Sequence, residues 1–179
     1  MVDQTIIKRL ETLEKELKRL NDIEAIRNLK AEHALASDDP ENLAKRLLAI
    51  VTDDIELDYG EAFGVHKGIE VFRELVKDTP FIWTVHYMIP SKIEVAADGK
   101  TATGIWYLWE PATTPSPVDG SETAMWLAGV YHDSYRKTPN GEWKISKMQL
   151  DAKLLCTYKE GWEKNKIIDL SKTRWTENL

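Results

Sequence analysis

The second half of the chain limits its possible folds most: after Phe81, long β-type segments follow one another, all but one of the connections being turns too short for any crossover. FIWTVHYMI (81–89) is dense in aromatic and β-branched residues and is expected to end at Pro90. KIEVAADGKTATGIWYLWE (92–110) turns back on itself at Asp98-Gly99. TAMWLAGVYHDSYRK (123–137) reaches EWKISKMQLDAKLL (142–155) through Pro139-Asn140-Gly141, a strong hairpin signal. Turns this short dictate antiparallel pairing, so the segments form a meander. PATTPSPVDGSE (111–122), rich in Pro and polar residues, is expected to be a long mobile loop between them.

Before Phe81 the spacing is helical. Ile6, Leu10, Leu13, Leu17 and Leu20 alternate steps of four and three, with Lys, Arg and Glu around them. Two heptads fit two structures, a seam for another copy or the inner face of a helix packed on its own domain. Asn21-Asp22 predicts a break and a fresh N-cap before a second helix over 23–37. Asp38-Asp39-Pro40 ends that helix and begins a third, with Asp39 capping and Leu43, Leu47, Leu48 and Ile50 apolar. A strand through Ile55, Leu57 and Tyr59, a Gly-rich stretch and a short helix bearing Ile69, Phe72 and Val76 complete this half. Helices segregated before a meander give an α+β fold, with the helices on one face of a curved antiparallel sheet. At 179 residues the chain suits one domain. We divide it into a helical extension over 1–20 that could contact another subunit, a body over 21–155 and a tail over 156–179.

A net charge of −6 with dispersed basic residues argues against nucleic acid or an anionic membrane as partner. One cysteine excludes a disulfide framework and a thiolate cluster, and Cys156 reads as a small core residue. The N-terminal segment is charged at every turn, without an apolar leader or spanning stretch, so a cytoplasmic location is expected. Both faces of the β segments carry large apolar groups: Trp83, Tyr87 and Ile89 share one face, and Ile105, Tyr107 and Trp109 oppose Trp106 and Leu108. One helical layer covers only one face, so the other is expected to meet another subunit.

No phosphate-cradling loop, HExxH or GxSxG occurs, and His33, His66, His86 and His132 lack metal-ligand spacing. Several polar residues stand in unusual places. His86, within an apolar strand, is either a hydrogen-bonded histidine or a general base facing a cavity. Asp38 reads first as a turn residue. His33 lies about 140° from it around a helix, so both reach one cavity only if the helix ends near Ser37. Glu110 ends a strand, and Tyr59 alternates with Leu57 as a core residue would.

Taken in order, IEAIRNLKAEHALASDDP, IELDYG, TVHY, TATGIWYLWE and AGVYHDSYRKTPNGEWKISKM resemble the SnoaL-like branch of the cystatin-like, nuclear-transport-factor-like α+β cones over about residues 20–155. Within it they are most similar to bile acid 7α-dehydratases and hexachlorocyclohexane dehydrochlorinases. The resemblance implies a cone-shaped α+β barrel around an apolar pocket and a cofactor-independent lyase of dehydratase type, with no metal, acting on a hydrophobic, cyclic or steroid-like small molecule. It implies a His-Asp dyad of His86 as base and Asp38 as its orienting carboxylate. Tyr59, Glu110 and His33 then occupy positions suited to polarise or protonate the leaving group. Trp106, Leu108, Met88, Met148 and Tyr131 are expected to bind substrate, and related lyases suggest a homotrimer. The sequence departs from the dehydratases in having Glu110 for Asp, His33 for Tyr and Ala152 for an Arg on the last strand. Met148 stands where the dehydrochlorinases have Arg. Isomerases, cyclases and non-catalytic binding proteins share this fold and remain alternatives.

Overall fold

The computed structural model describes residues 3–60, 64–77, 79–116 and 120–168. It opens with one long helix, α1 (Gln4–Ser37). No Gly or Pro interrupts it, and Asp3 caps its start by accepting from the Thr5 N–H at 2.9 Å. The expected break at Asn21-Asp22 does not occur. Neither residue is a strong helix breaker. Asp22 is buried, accepts from Trp143 Nε1 at 2.9 Å and pairs with Lys137, and these tertiary partners hold it in mid-helix. From Asp22 onward one stripe of α1 is buried, through Ile26, Lys30, His33 and Ala34. Residues 3–21 are exposed throughout, so the leucine seam does not pack on its own domain.

After a turn, α2 (Leu43–Ile50) runs back against α1. Asp39 does not cap it directly; its carboxylate accepts from the backbone and side-chain amides of Asn42, each at 3.2 Å. Arg46 of α2 clamps Glu32 at 2.7 Å and Asp39 at 3.0 Å, fixing the corner between the helices. Next come β1 (Val51–Asp58), β2 (Val65–Lys67) and α3 (Ile69–Lys77), whose Phe72 is buried. The meander is β3 (Trp83–Thr84), β4 (Tyr87–Val95), β5 (Thr101–Pro115), β6 (Glu122–Lys137) and β7 (Trp143–Thr157), followed by α4 (Gly161–Lys164).

The strands form one curved, unclosed sheet in the order β2-β1-β7-β6-β5, with β3 and β4 sharing the far edge of β5. Pairing is antiparallel except between β1 and β7, which run parallel. The whole meander separates those two strands in sequence, ample chain for a parallel return.

Proline placement corrects two expectations. The stretch 111–122 is not a long loop: β5 continues through Pro111 to Pro115, and β6 begins at Glu122. Pro111 O accepts from the Val85 N–H at 3.1 Å, yet Pro111 has no N–H to return. Opposite it the partner strand is interrupted, with Val85 and His86 left between β3 and β4. Nor does β4 stop at Pro90; it passes through with a register shift between Pro90 and Lys92, as an edge strand allows.

α1, α2 and α3 cover one face of the sheet, where Ile26, Ile55, Phe72, Trp106, Ile145 and Met148 build the main core. A smaller cluster of Ala112, Met125 and Leu155 is covered by Phe81 and by Ile168 of the tail. On the opposite face Trp83, Tyr87, Ile89 and Tyr107 are exposed. Trp109 and Trp126 stack at 5.2 Å, and Trp162 of α4 sets its edge against both. Trp175 lies outside the described residues. Cys156 is fully buried. Among the described residues no helix is long and apolar enough to cross a membrane.

Candidate active site

The end of α1 meets the interruption between β3 and β4. The helix closes at Ser37, whose hydroxyl donates back to His33 O at 2.9 Å, and Asp38 is its C-cap. Asp38 has therefore left the helical rotation, and its carboxylate turns to the sheet. The Thr84 hydroxyl donates to Oδ1 at 3.0 Å, and the His86 N–H donates to Oδ2 at 2.9 Å. The Val85 N–H before it goes to Pro111 O on β5, so the His86 N–H points to the open side of this edge segment, where Asp38 meets it. His86 Nδ1 lies 2.6 Å from Oδ1.

A carboxylate at a helix C-terminus sits in an unfavourable dipole field. Burial alone raises the Asp38 pKa, but hydrogen bonds from the His86 ring and backbone, the His86 charge and the Thr84 hydroxyl outweigh it and hold the carboxyl below its ordinary value. Ionised Asp38 can only accept, so His86 Nδ1 carries the proton facing it. In a neutral imidazole the lone pair then belongs to Nε2.

His86 Nε2 lies 3.3 Å from Oε2 of Glu110, on the helix-covered face of β5. Glu110 is 2% exposed, and its Oε1 has no hydrogen-bond partner among the described residues. Burial pushes its pKa up; His86 opposes the shift, and Asp38 adds to it. An anionic Asp38, an imidazole and a carboxyl biased towards its acid form thus stand in line. Both ring nitrogens face a carboxyl group, so the three do not converge on a point. Among the described residues no three His, Cys, Asp or Glu side chains could together hold a metal ion.

His33 is buried one turn before the helix end, with its ring edge-on to Tyr131 at 5.9 Å and Nδ1 unpartnered. Burial, then the charges of Lys30 and His86, push its pKa well down, so it is neutral. Tyr59 follows directly after β1, and burial followed by Asp133 and Glu110 keeps its hydroxyl protonated. Trp106, Leu108, Tyr131 and Met148 lie in the main core on the helix-covered face, and Met88 packs against it.

One charged pair escaped sequence reasoning. Lys30 Nζ lies 2.8 Å from Asp133 Oδ2, with both side chains fully buried, and 3.8 Å above the Tyr131 ring. The Tyr135 hydroxyl donates to the same Asp133 oxygen at 2.9 Å and accepts from Trp106 Nε1 at 2.8 Å. Burial lowers the Lys30 pKa, and Asp133 opposes that shift. The signal was positional: Lys30 falls on the stripe of Ile26 and His33, and Asp133 alternates with Tyr131 and Tyr135.

A family model for the SnoaL-like domain matches residues 18–149. A hexachlorocyclohexane dehydrochlorinase (LinA) type 2 structure is 25% identical, covering 79% of this chain and 92% of its own, with a TM-score of 0.68. A scytalone dehydratase-like protein from Novosphingobium aromaticivorans is 20% identical, covering 79% of this chain and 90% of its own, with a TM-score of 0.65. An NTF2-like protein with a cystatin-like fold from the same organism is 23% identical, covering 84% and 90%, with a TM-score of 0.60. A search of curated proteins gives no match.

Proposed function

Because the chain belongs to the SnoaL-like domain family, we propose that it is a cofactor-independent lyase of dehydratase type, acting on a hydrophobic cyclic small molecule through His86 and Asp38. The observation that carries this reading is the line from Asp38 through His86 to Glu110. Elimination breaks a C–H bond while an electronegative group leaves the adjacent carbon. Substrate enters against His86 Nε2, whose lone pair takes the proton. The C–H electrons become the new double bond. The carbon–oxygen bond breaks, and Glu110 in its acid form protonates the departing oxygen, releasing water. His86 now carries the added proton and Glu110 has lost one, so transfer from Nε2 to Oε2 restores both. Asp38 holds the ring orientation and stabilises the imidazolium, as the carboxylate does in hydrolase triads. A positioned base of this kind contributes about 10²–10⁴-fold. Tyr59 and neutral His33 are assigned to polarise the leaving group, and Trp106, Leu108, Met88, Met148 and Tyr131 to surround the apolar body of the substrate.

The His86–Glu110 contact equally supports an isomerase, in which the same two groups remove a proton and return it at another carbon. Both readings are tested by incubating polycyclic and alicyclic alcohols and ketones with the protein and analysing products by mass. Loss of 18 mass units (water) marks elimination; unchanged mass with a new retention time marks isomerisation. His86→Gln is expected to reduce turnover at least about 10²-fold while leaving the melting temperature close to wild type. Turnover within threefold of wild type overturns His86 as base.

For assembly we assign the exposed sheet face bearing Trp83, Tyr87, Ile89 and Tyr107 to contacts between copies in a homotrimer.

A further inference from the structure

Outside that face, α1 carries a second apolar surface with no role in the fold. Ile6, Leu10, Leu13, Leu17 and Leu20 are each at least half exposed, the least of them 51%. The family match begins at residue 18, so most of this seam lies outside the domain. At about 100° per residue its mean direction is roughly 165° from that of the buried stripe Asp22, Ile26, Lys30 and His33. The seam therefore faces away from its own domain, which cannot cover it. Where the helix enters the body, the next two seam positions are Glu24 and Arg27, and the apolar surface ends.

Steps of four and three keep a stripe aligned with another helix, not with a sheet or a flat surface. The flanking residues fit a copy of the same helix. With Leu10 and Leu17 at positions a, and Ile6, Leu13 and Leu20 at positions d, Arg9 is at g and Glu14 at e. A parallel, in-register partner sets Arg9 of each helix beside Glu14 of the next, opposite charges at the pair of positions that meet across such a seam. Short helices are poorly formed alone because nucleation is costly. Here the buried half of α1 supplies the nucleus, and the first half extends a helix already formed.

We propose that residues 3–21 associate with the same segment of a second copy of this chain, as a parallel, in-register coiled coil. The test is mild oxidation of full-length Leu10→Cys at low micromolar concentration, read on non-reducing gels. Native Cys156 is buried, and wild type serves as its control. Position 10 faces itself only in a parallel pair, so more than half of Leu10→Cys is expected as a disulfide-linked dimer. Lys8→Cys, on the outer side of the seam, should link at least fivefold less. Adding Leu17→Asp to Leu10→Cys should lower linking to the Lys8→Cys level with the near-ultraviolet spectrum of the body unchanged. Equal linking at positions 8 and 10, no linking at position 10, or linking unaffected by Leu17→Asp each overturns the proposal.

Discussion

At the scale of single residues, Glu110 is a carboxyl held almost entirely out of water. It is buried, one oxygen lacks a partner among the described residues, and its folded-state pKa lies above the unfolded value. The sign of the linkage follows. A raised carboxyl pKa favours the folded state fully below the unfolded value, and that contribution is lost as pH rises towards the folded pKa. Glu110→Gln removes this dependence. The variant is expected to gain stability relative to wild type as pH goes from 4 to 7, measured by urea denaturation across that range. A constant difference between the two proteins would show that ionisation of Glu110 does not limit stability. Asp38 has the opposite sign: its depressed pKa contributes above the unfolded value of about 3.8 and is lost on acidification through the folded pKa.

At the scale of elements, ladders and helices are interrupted where donors run out, not where propensity alone suggests. Asp22 is tolerated inside α1 because Trp143 and Lys137 satisfy it. Asp22→Ala leaves both donors without their carboxylate and is expected to cost about 2–3 kcal/mol, measured by denaturant unfolding, although alanine is the better helix former. A stabilised variant would show that the helix tolerates Asp22 without those partners. This is also where sequence legibility ends. Hairpins at Asp98-Gly99 and Pro139-Asn140-Gly141 were readable because turn chemistry is local. The aspartate at 22 and the prolines at 90 and 111 were misread because their neighbours across the fold decide their effect. His86 and Asp38 stood out only through resemblance; from spacing alone each had an ordinary alternative. Lys30 and Asp133 were invisible for a different reason. A charge reads as a solvent-facing residue until its partner, about a hundred residues away in sequence, is seen beside it.

At the scale of the whole molecule, two surfaces are available for assembly: the sheet face around Tyr107 and the seam on α1. With the α1 seam disabled by Leu17→Asp, the sheet-face trimer is expected to sediment at roughly three times the 20.5 kDa of one chain. Tyr107→Glu with Ile89→Lys, by placing charge in the desolvated contact, should move the population to smaller species at low micromolar concentration. A wild-type monomer would remove the sheet face as an interface. The length of α1 joins these levels. Its 34 residues make a rod about 50 Å long, without a glycine or proline joint, from the seam to the residue that orients the His86 ring. On the roles proposed above for the seam and for His86, one uninterrupted helix would join the surface that gathers copies to the carboxylate that orients the imidazole, and Asp38 at its end would be the point where assembly meets acid–base chemistry.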